Sequence, residues 1–212
     1  YASDGASGGS VTLVVPPQTL AGGDDVYYVE LLAKGSGPVT LAGASRSLPA
    51  DYAWVPVDTS YTVTAETDCD LAFCFCRAEE EHPAQLITPA DIEIEIRGGA
   101  NATRQINKIF RPEFSAHRLL VVEVYTPSGN WSSYPPHKHD VHNPPNEVDL
   151  EEIYYYRVDR PEGYAIQKVY NPDRSIDETI TVRDGELVLI PEGYHPVVAA
   201  HGYNVYYLNA LA

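Results

Sequence analysis

Apolar residues fall along this chain in short runs with alternating polar positions, and turn formers break the pattern every few residues. Stretches rich in Val, Ile, Tyr and Thr at residues 11–15, 26–32, 61–65, 71–76, 92–96, 119–125, 152–158, 165–170, 178–182, 187–190 and 205–208 read as strands. Between them lie 15 Gly and 17 Pro, spread along the chain rather than clustered. No segment keeps a 3.6-residue period over four turns, and one short helix is predicted at 103–110. Many short strands separated by turns predict an all-β fold of the sandwich or barrel kind.

Two parts of the chain read alike. Residues 51–65 (DYAWVPVDTSYTVTA) and 185–199 (GELVLIPEGYHPVVA) each give a strand, a Pro, a turn and a second strand. The second turn carries His195, where the first has Ser60 or Tyr61. This predicts two similar β-barrel domains, 1–96 and 97–212, with the junction at 83–107 and a metal site kept only in the second.

Composition narrows the partners. A net charge of −16 disfavours nucleic acid and anionic membranes, since affinity for phosphate comes from clustered Lys and Arg. An anionic substrate stays compatible if a metal or a few cations reverse the field locally. No run of about 18 apolar residues appears, so no membrane-spanning helix is expected, and no charged-then-apolar leader opens the chain. Cys69, Cys74 and Cys76 give an odd count and no disulfide framework, which points to a reducing, cytoplasmic setting with Cys74 and Cys76 packed in a buried strand. The chain contains no Met, even at position 1, and so reads as one from which residues are missing.

The chemistry concentrates in three segments: SSYPPHKHD at 132–140, EEIYYYR at 151–157 and PEGYHP at 191–196. His137 and His139 are two apart, which in an extended strand puts both imidazoles on one face. Glu152 can add a carboxylate, and His195 arrives from a later turn. Three His and one carboxylate suit Zn, Mn, Fe, Ni or Co and leave positions open for substrate. His82, His117 and His201 read as hydrogen-bonded surface or pocket residues, and His142 as part of a Pro- and Asn-rich loop.

H-x-H, then Glu, then P-x-G and a final His is the cupin signature, which makes the expected fold a bicupin of two tandem jelly-roll barrels. The spacing departs from most cupins, because Glu152 lies thirteen residues after His139 and only Tyr194 separates Gly193 from His195. Both departures match one branch. NWSSYPPHKHD at 130–140, LEEIYYYR at 150–157, RSIDET at 174–179 and GYHPV at 193–197 resemble the 5-deoxy-glucuronate isomerases of myo-inositol catabolism, and NATRQ at 101–105 is similar to that family's segment between the two cupins.

The resemblance implies conversion of 5-deoxy-glucuronate to 5-dehydro-2-deoxy-gluconate, an aldose–ketose shift with one divalent metal ion and no organic cofactor. A metal would stabilise an enediolate, with a metal-assisted hydride shift as the competing route. It implies His137, His139, Glu152 and His195 as metal ligands, with Glu151 pointing the other way. Tyr154 and Tyr156 share the parity of Glu152 and are candidates for proton transfer or hydrogen bonding to substrate, against core packing; Tyr207 and Asn209 are further candidates on the last strand. Lys168 and Arg174 are candidates for the substrate carboxylate, against solvated surface charges. The partner is then a small sugar acid, with no nucleic acid or membrane and a homo-oligomer possible. Alternatives are an isomerase of 4-deoxy-5-hexulose-uronate, a non-catalytic sugar-acid-binding cupin, and a cupin oxygenase using iron in the same ligands.

Overall fold

The computed structural model describes residues 10–13, 26–34, 39–41, 44–46, 52–55, 61–64, 70–78, 80, 82–110, 113–114 and 116–212. Over these residues the protein is all-β, and the helical turns are two three-residue 3-10 segments, Pro89–Asp91 and Ala100–Ala102. By their contacts the residues divide into one compact unit of 1–92 with 112–119 and another of 93–111 with 120–212.

The first unit contains β1 (Ser10–Leu13), β2 (Val26–Lys34), β3 (Val39–Leu41), β4 (Ala44–Arg46), β5 (Tyr52–Val55), β6 (Tyr61–Thr64), β7 (Asp70–Ala78) and β8 (Gln85–Ile87). They form two antiparallel sheets, ordered β1-β6-β3-β4 and β7-β2-β5-β8. Trp54 on β5 is fully buried and meets Phe114 edge-on at 6.4 Å between ring centroids. Cys74 is buried in β7 and Cys76 is half-buried, as the apolar run around them predicts. The comparison of Ser60 with His195 falls on residues 56–60, which lie outside the described residues.

The second unit contains β9 (Glu93–Arg97), β10 (Arg104–Phe110), β11 (Leu120–Thr126), β12 (Trp131–Ser132), β13 (Glu152–Val158), β14 (Ala165–Tyr170), β15 (Asp177–Val182), β16 (Leu187–Ile190), β17 (Val197–Ala199) and β18 (Val205–Leu211). Again there are two antiparallel sheets, one of six strands (β16-β13-β18-β11-β10-β9) and one of four (β12-β17-β14-β15). Along β13 burial alternates strictly, with Glu152, Tyr154, Tyr156 and Val158 buried and the residues between them less so. That is the period-two pattern of a strand with one face in a core. The same core takes Val124 and Tyr207 from the larger sheet and Ala165, Val169, Val197 and Ala199 from the smaller one.

One element differs from the sequence expectation. Residues 103–110, predicted as a short helix, hold strand β10, which pairs with both β9 and β11. Ile106 faces the core, while Lys108 binds Glu93 at 2.6 Å and Glu95 at 3.0 Å on the neighbouring strand. Residues 105–108 pair with strands on both sides, and such tertiary pairing overrides the weak local preference of a short polar segment.

Candidate metal centre

Three segments of the second unit deliver the side chains. His137 and His139 lie in the chain between β12 and β13, Glu152 opens β13, and His195 sits between β16 and β17. The coordinating nitrogens of His137, His139 and His195 all lie within 4.8 Å of one another. Glu152 Oε2 stands 3.0 Å from His195 Nε2, with both side chains almost wholly buried. Glu151 is exposed, as strand alternation requires.

Hydrogen bonding fixes which ring nitrogens face inward. His195 Nδ1 lies 2.8 Å from the carbonyl of Gly193, and His137 Nδ1 lies 3.2 Å from the carbonyl of Pro135. A carbonyl can only accept, so Nδ1 carries the proton in both rings, and each Nε2 is left with a lone pair. For His195 that lone pair faces a carboxylate oxygen, and neither Nε2 nor Glu152 Oε2 has a hydrogen-bond partner. Two buried acceptors 3.0 Å apart repel each other unless a cation or a proton lies between them. The residues therefore fit a divalent ion: hydrogen-bonded imidazoles of fixed tautomer, a carboxylate, and orphaned lone pairs converging on one point.

Hydrogen bonds also hold the surroundings of these four residues. Asn209 on β18 uses its Nδ2 to donate to Glu152 Oε1 at 2.7 Å and to the Ile153 carbonyl at 3.0 Å. This holds one carboxylate oxygen back and leaves the other toward His195. Glu147 Oε1 accepts from Lys138 Nζ at 2.7 Å and from the backbone N–H groups of Asp140 and Val141 at 3.0 and 3.1 Å. Lys138 also pairs with Asp140, whose other oxygen accepts the Gly193 N–H at 2.9 Å. The loop carrying His137 and His139 is thus clasped to the turn carrying His195. Gly193 is required in that turn: its φ is +93°, and a Cβ there would stand 2.9 Å from the Tyr170 carbonyl oxygen.

Electrostatics follow the same geometry. Burial holds the pKa of His137 and of His139 below the ordinary histidine value. Burial alone would lower His195 too, but the Glu152 carboxylate beside it outweighs that and raises it. Burial pushes Glu152 upward, yet the His195 ring and the Asn209 amide bring it below the usual carboxylate value. Tyr154 and Tyr156 are pushed well above the ordinary tyrosine range by burial, with the Glu152 charge adding to it, so both hydroxyls stay protonated.

Tyr154 borders the cluster. Its ring centroid lies 6.0 Å from that of His195, and its hydroxyl shares a 2.9 Å hydrogen bond with Ser133. Tyr156 is stacked on Tyr154 at 6.0 Å and donates to Gln167 Oε1 at 2.9 Å, within the core. Tyr207 packs against both rings at 4.8 and 5.5 Å. The structure does not bring Lys168 or Arg174 to this centre. Lys168 has the opposite parity on β14 to the core residues Ala165, Gln167 and Val169, and pairs with Asp177 and Thr179. Arg174 is exposed, binds Asp177 at 3.1 Å and stacks over Tyr170 at 4.4 Å. Asp177, two residues before Thr179, consumes both cations.

Sequence reasoning passed over Ser133, Gln167 and the Lys138–Asp140–Glu147 clasp. Strand parity could have found Gln167, which has the parity of Ala165 and Val169. Nothing local marks Glu147, seven residues from its Asp140 partner inside an irregular loop.

The described residues thus form an all-β protein of paired antiparallel sheets, with three histidines and a glutamate converging in one unit. The KduI/IolB family model matches residues 44–212, and the chain belongs to that family. It is 50% identical over 167 residues to a 5-deoxy-glucuronate isomerase of Geobacillus thermodenitrificans, covering 79% of this chain and 61% of that one. Identity is 47% over 165 residues to the 5-deoxy-glucuronate isomerase of Bacillus subtilis strain 168, covering 77% and 61%. The chain thus spans about 61% of the length of the curated relatives it matches. An IolB-like protein from Salmonella typhimurium superposes with a TM-score of 0.86 at 37% identity, over 97% of this chain and 80% of that one. The putative glyoxylate induced protein of Pseudomonas aeruginosa shares the fold with a TM-score of 0.61 at 15% identity, over 87% and 64%. Among the described residues, no helix is long and apolar enough to cross a membrane.

Proposed function

We propose that this chain carries the active centre of a metal-dependent aldose–ketose isomerase that converts 5-deoxy-glucuronate to 5-dehydro-2-deoxy-gluconate. The observation that carries the reading is the convergence of His137, His139, His195 and Glu152 in a member of a family whose curated relatives bear that activity in their names. In this reading the four residues hold one divalent ion, within a C-terminal cupin that follows an N-terminal cupin without this ligand set. Such an ion would supply Lewis acidity for the exchange of the carbonyl between neighbouring carbons.

The chain's own residues supply the rest. Asn209 keeps Glu152 turned so that one oxygen serves the centre. Tyr154, whose hydroxyl stays protonated, donates a hydrogen bond to a substrate oxygen as charge develops there, and Ser133 orients that hydroxyl through their shared hydrogen bond. The stacked rings of Tyr154 and Tyr156 wall the centre with groups that exclude bulk water. Tyr156, whose hydroxyl is engaged by Gln167, acts by positioning Tyr154.

The test is NMR of 5-deoxy-glucuronate with the chelator-stripped and the metal-restored protein in D2O. Metal-dependent appearance of the 2-deoxy-5-keto acid is expected, and deuterium at the exchanging carbon marks the enediolate route. Absence of conversion with every divalent metal overturns the substrate. Conversion of 4-deoxy-5-hexulose-uronate instead would move the activity to the pectin-derived sugar acid.

A further inference from the structure

We propose a second divalent-metal site in the first unit, formed by Glu80, His82 and His117. The sequence alone assigns these histidines to ordinary surface roles, because they are 35 positions apart. The fold brings them onto one carboxylate oxygen. His82 Nε2 and His117 Nδ1 each lie 3.5 Å from Glu80 Oε2, and the three coordinating atoms fall within 4.8 Å of one another.

The distances favour a shared ion over hydrogen bonds. An N–H···O bond brings its heavy atoms to about 2.7–3.2 Å. Tetrahedral coordination with bonds of about 2.0–2.2 Å instead puts neighbouring ligand atoms about 3.4 Å apart. Both measured separations match the second figure. Two imidazoles and a carboxylate suit Zn, Co or Ni and leave a position for water. The side chain of Glu80 is 64% exposed while those of His82 and His117 are 22% and 14%, so the site opens to solvent through the carboxylate and stands on two better-buried rings. Glu79 and Glu81 flank Glu80 in sequence, and a net charge of −16 raises the local concentration of any divalent cation.

One contact opposes binding and sharpens the test. Arg118 Nε donates to His117 Nε2 at 3.2 Å, which puts the ring proton on Nδ1. A metal on Nδ1 needs that proton on Nε2 instead, so Arg118 must withdraw, and its exposed position allows this. The bound ion would tie the segment after β7 to the turn ahead of β11, a cross-link inside the first unit that shares no residue with the barrel centre.

Equilibrium dialysis of the full chain against micromolar zinc, with metal quantified by mass spectrometry, tests the site. Two ions per chain are expected for the native protein. His82→Gln/His117→Gln should hold one, with the affinity of the remaining site unchanged. His137→Gln/His139→Gln should keep a zinc-dependent rise in Tm that vanishes when His82→Gln is added. Arg118→Gln should tighten the second site at least threefold. A native stoichiometry of one, or a stoichiometry that His82→Gln/His117→Gln leaves unchanged, overturns the proposal. Because His82→Gln/His117→Gln leaves His137, His139, Glu152 and His195 intact, a chain that isomerises its sugar acid with one bound ion would fail this inference alone.

Discussion

Replacing Asn209 by alanine removes two hydrogen bonds of different strength. The bond to Glu152 Oε1, at 2.7 Å and buried, ends on a charged acceptor; the bond to the Ile153 carbonyl, at 3.0 Å, ends on a neutral one. Bonds to charged groups contribute about 1.5–3 kcal/mol and neutral ones about 1 kcal/mol, so the metal-free protein should lose about 2–4 kcal/mol. The effect on metal binding is separate. With its restraint gone, Glu152 can rotate out of the position that pairs it with His195, and loss of such an outer support typically weakens metal binding about 10–100-fold. Competition against a chromophoric chelator at constant pH measures the affinity, and a denaturant melt of the chelator-treated chain measures the stability. An affinity within threefold of native, alongside the expected loss of stability, would refute the reasoning. Asn209 would then serve only the β13–β18 pairing, and Glu152 would need no help in facing its ligand partners.

Three further outcomes follow from the same geometry. Tyr154→Phe should lower turnover about 100-fold while leaving zinc affinity near native, since it deletes a hydrogen-bond donor and no ligand; steady-state kinetics beside a metal titration separates the two. Gly193→Ala should cost about 2 kcal/mol in a thermal or denaturant melt, because its φ of +93° and the 2.9 Å approach to Tyr170 strain the turn that presents His195. In the metal-free chain, Glu152 is lowered from 4.5, so its contribution is present above pH 4.5 and fades as pH falls through its folded value. His195 is raised from 6.5, so its contribution is complete below pH 6.5 and fades as pH rises through its folded value. The pair should thus stabilise most between pH 4.5 and 6.5, and the difference in Tm between the native chain and Glu152→Gln, followed across pH, should peak in that window.

How far the sequence could be read depended on how local each signal was. The strands Glu152–Val158, Ala165–Tyr170 and Leu187–Ile190 were legible to the residue, because alternation records a half-buried strand directly. The strand Arg104–Phe110 was not, since its conformation is set by neighbours on both sides rather than by its own residues. The histidines and Glu152 stood out because ligand chemistry needs those side chains at those spacings. Lys168 and Arg174 lie away from the centre. Parity on β14 already turned Lys168 outward, but its pairing with Asp177 depends on β15 lying beside β14, whereas Arg174 meets Asp177 three residues along the chain. The convergence of Glu80, His82 and His117 was invisible for the same reason: no local pattern records that residues 82 and 117 meet.

The strand β18 has a consequence for synthesis. It is the last of the unit's strands in chain order, yet it lies in the middle of the six-stranded sheet, between β13 and β11. As the chain leaves the ribosome, β11 and β13 each wait with an open edge that only β18 can close. Glu152 waits with them, without the amide of Asn209 that will hold it. The nascent unit is therefore most exposed to edge-to-edge misassembly during that interval. Glu152 gains its native hydrogen-bond partner only after translation has passed Asn209, however early the three histidines and the glutamate were made.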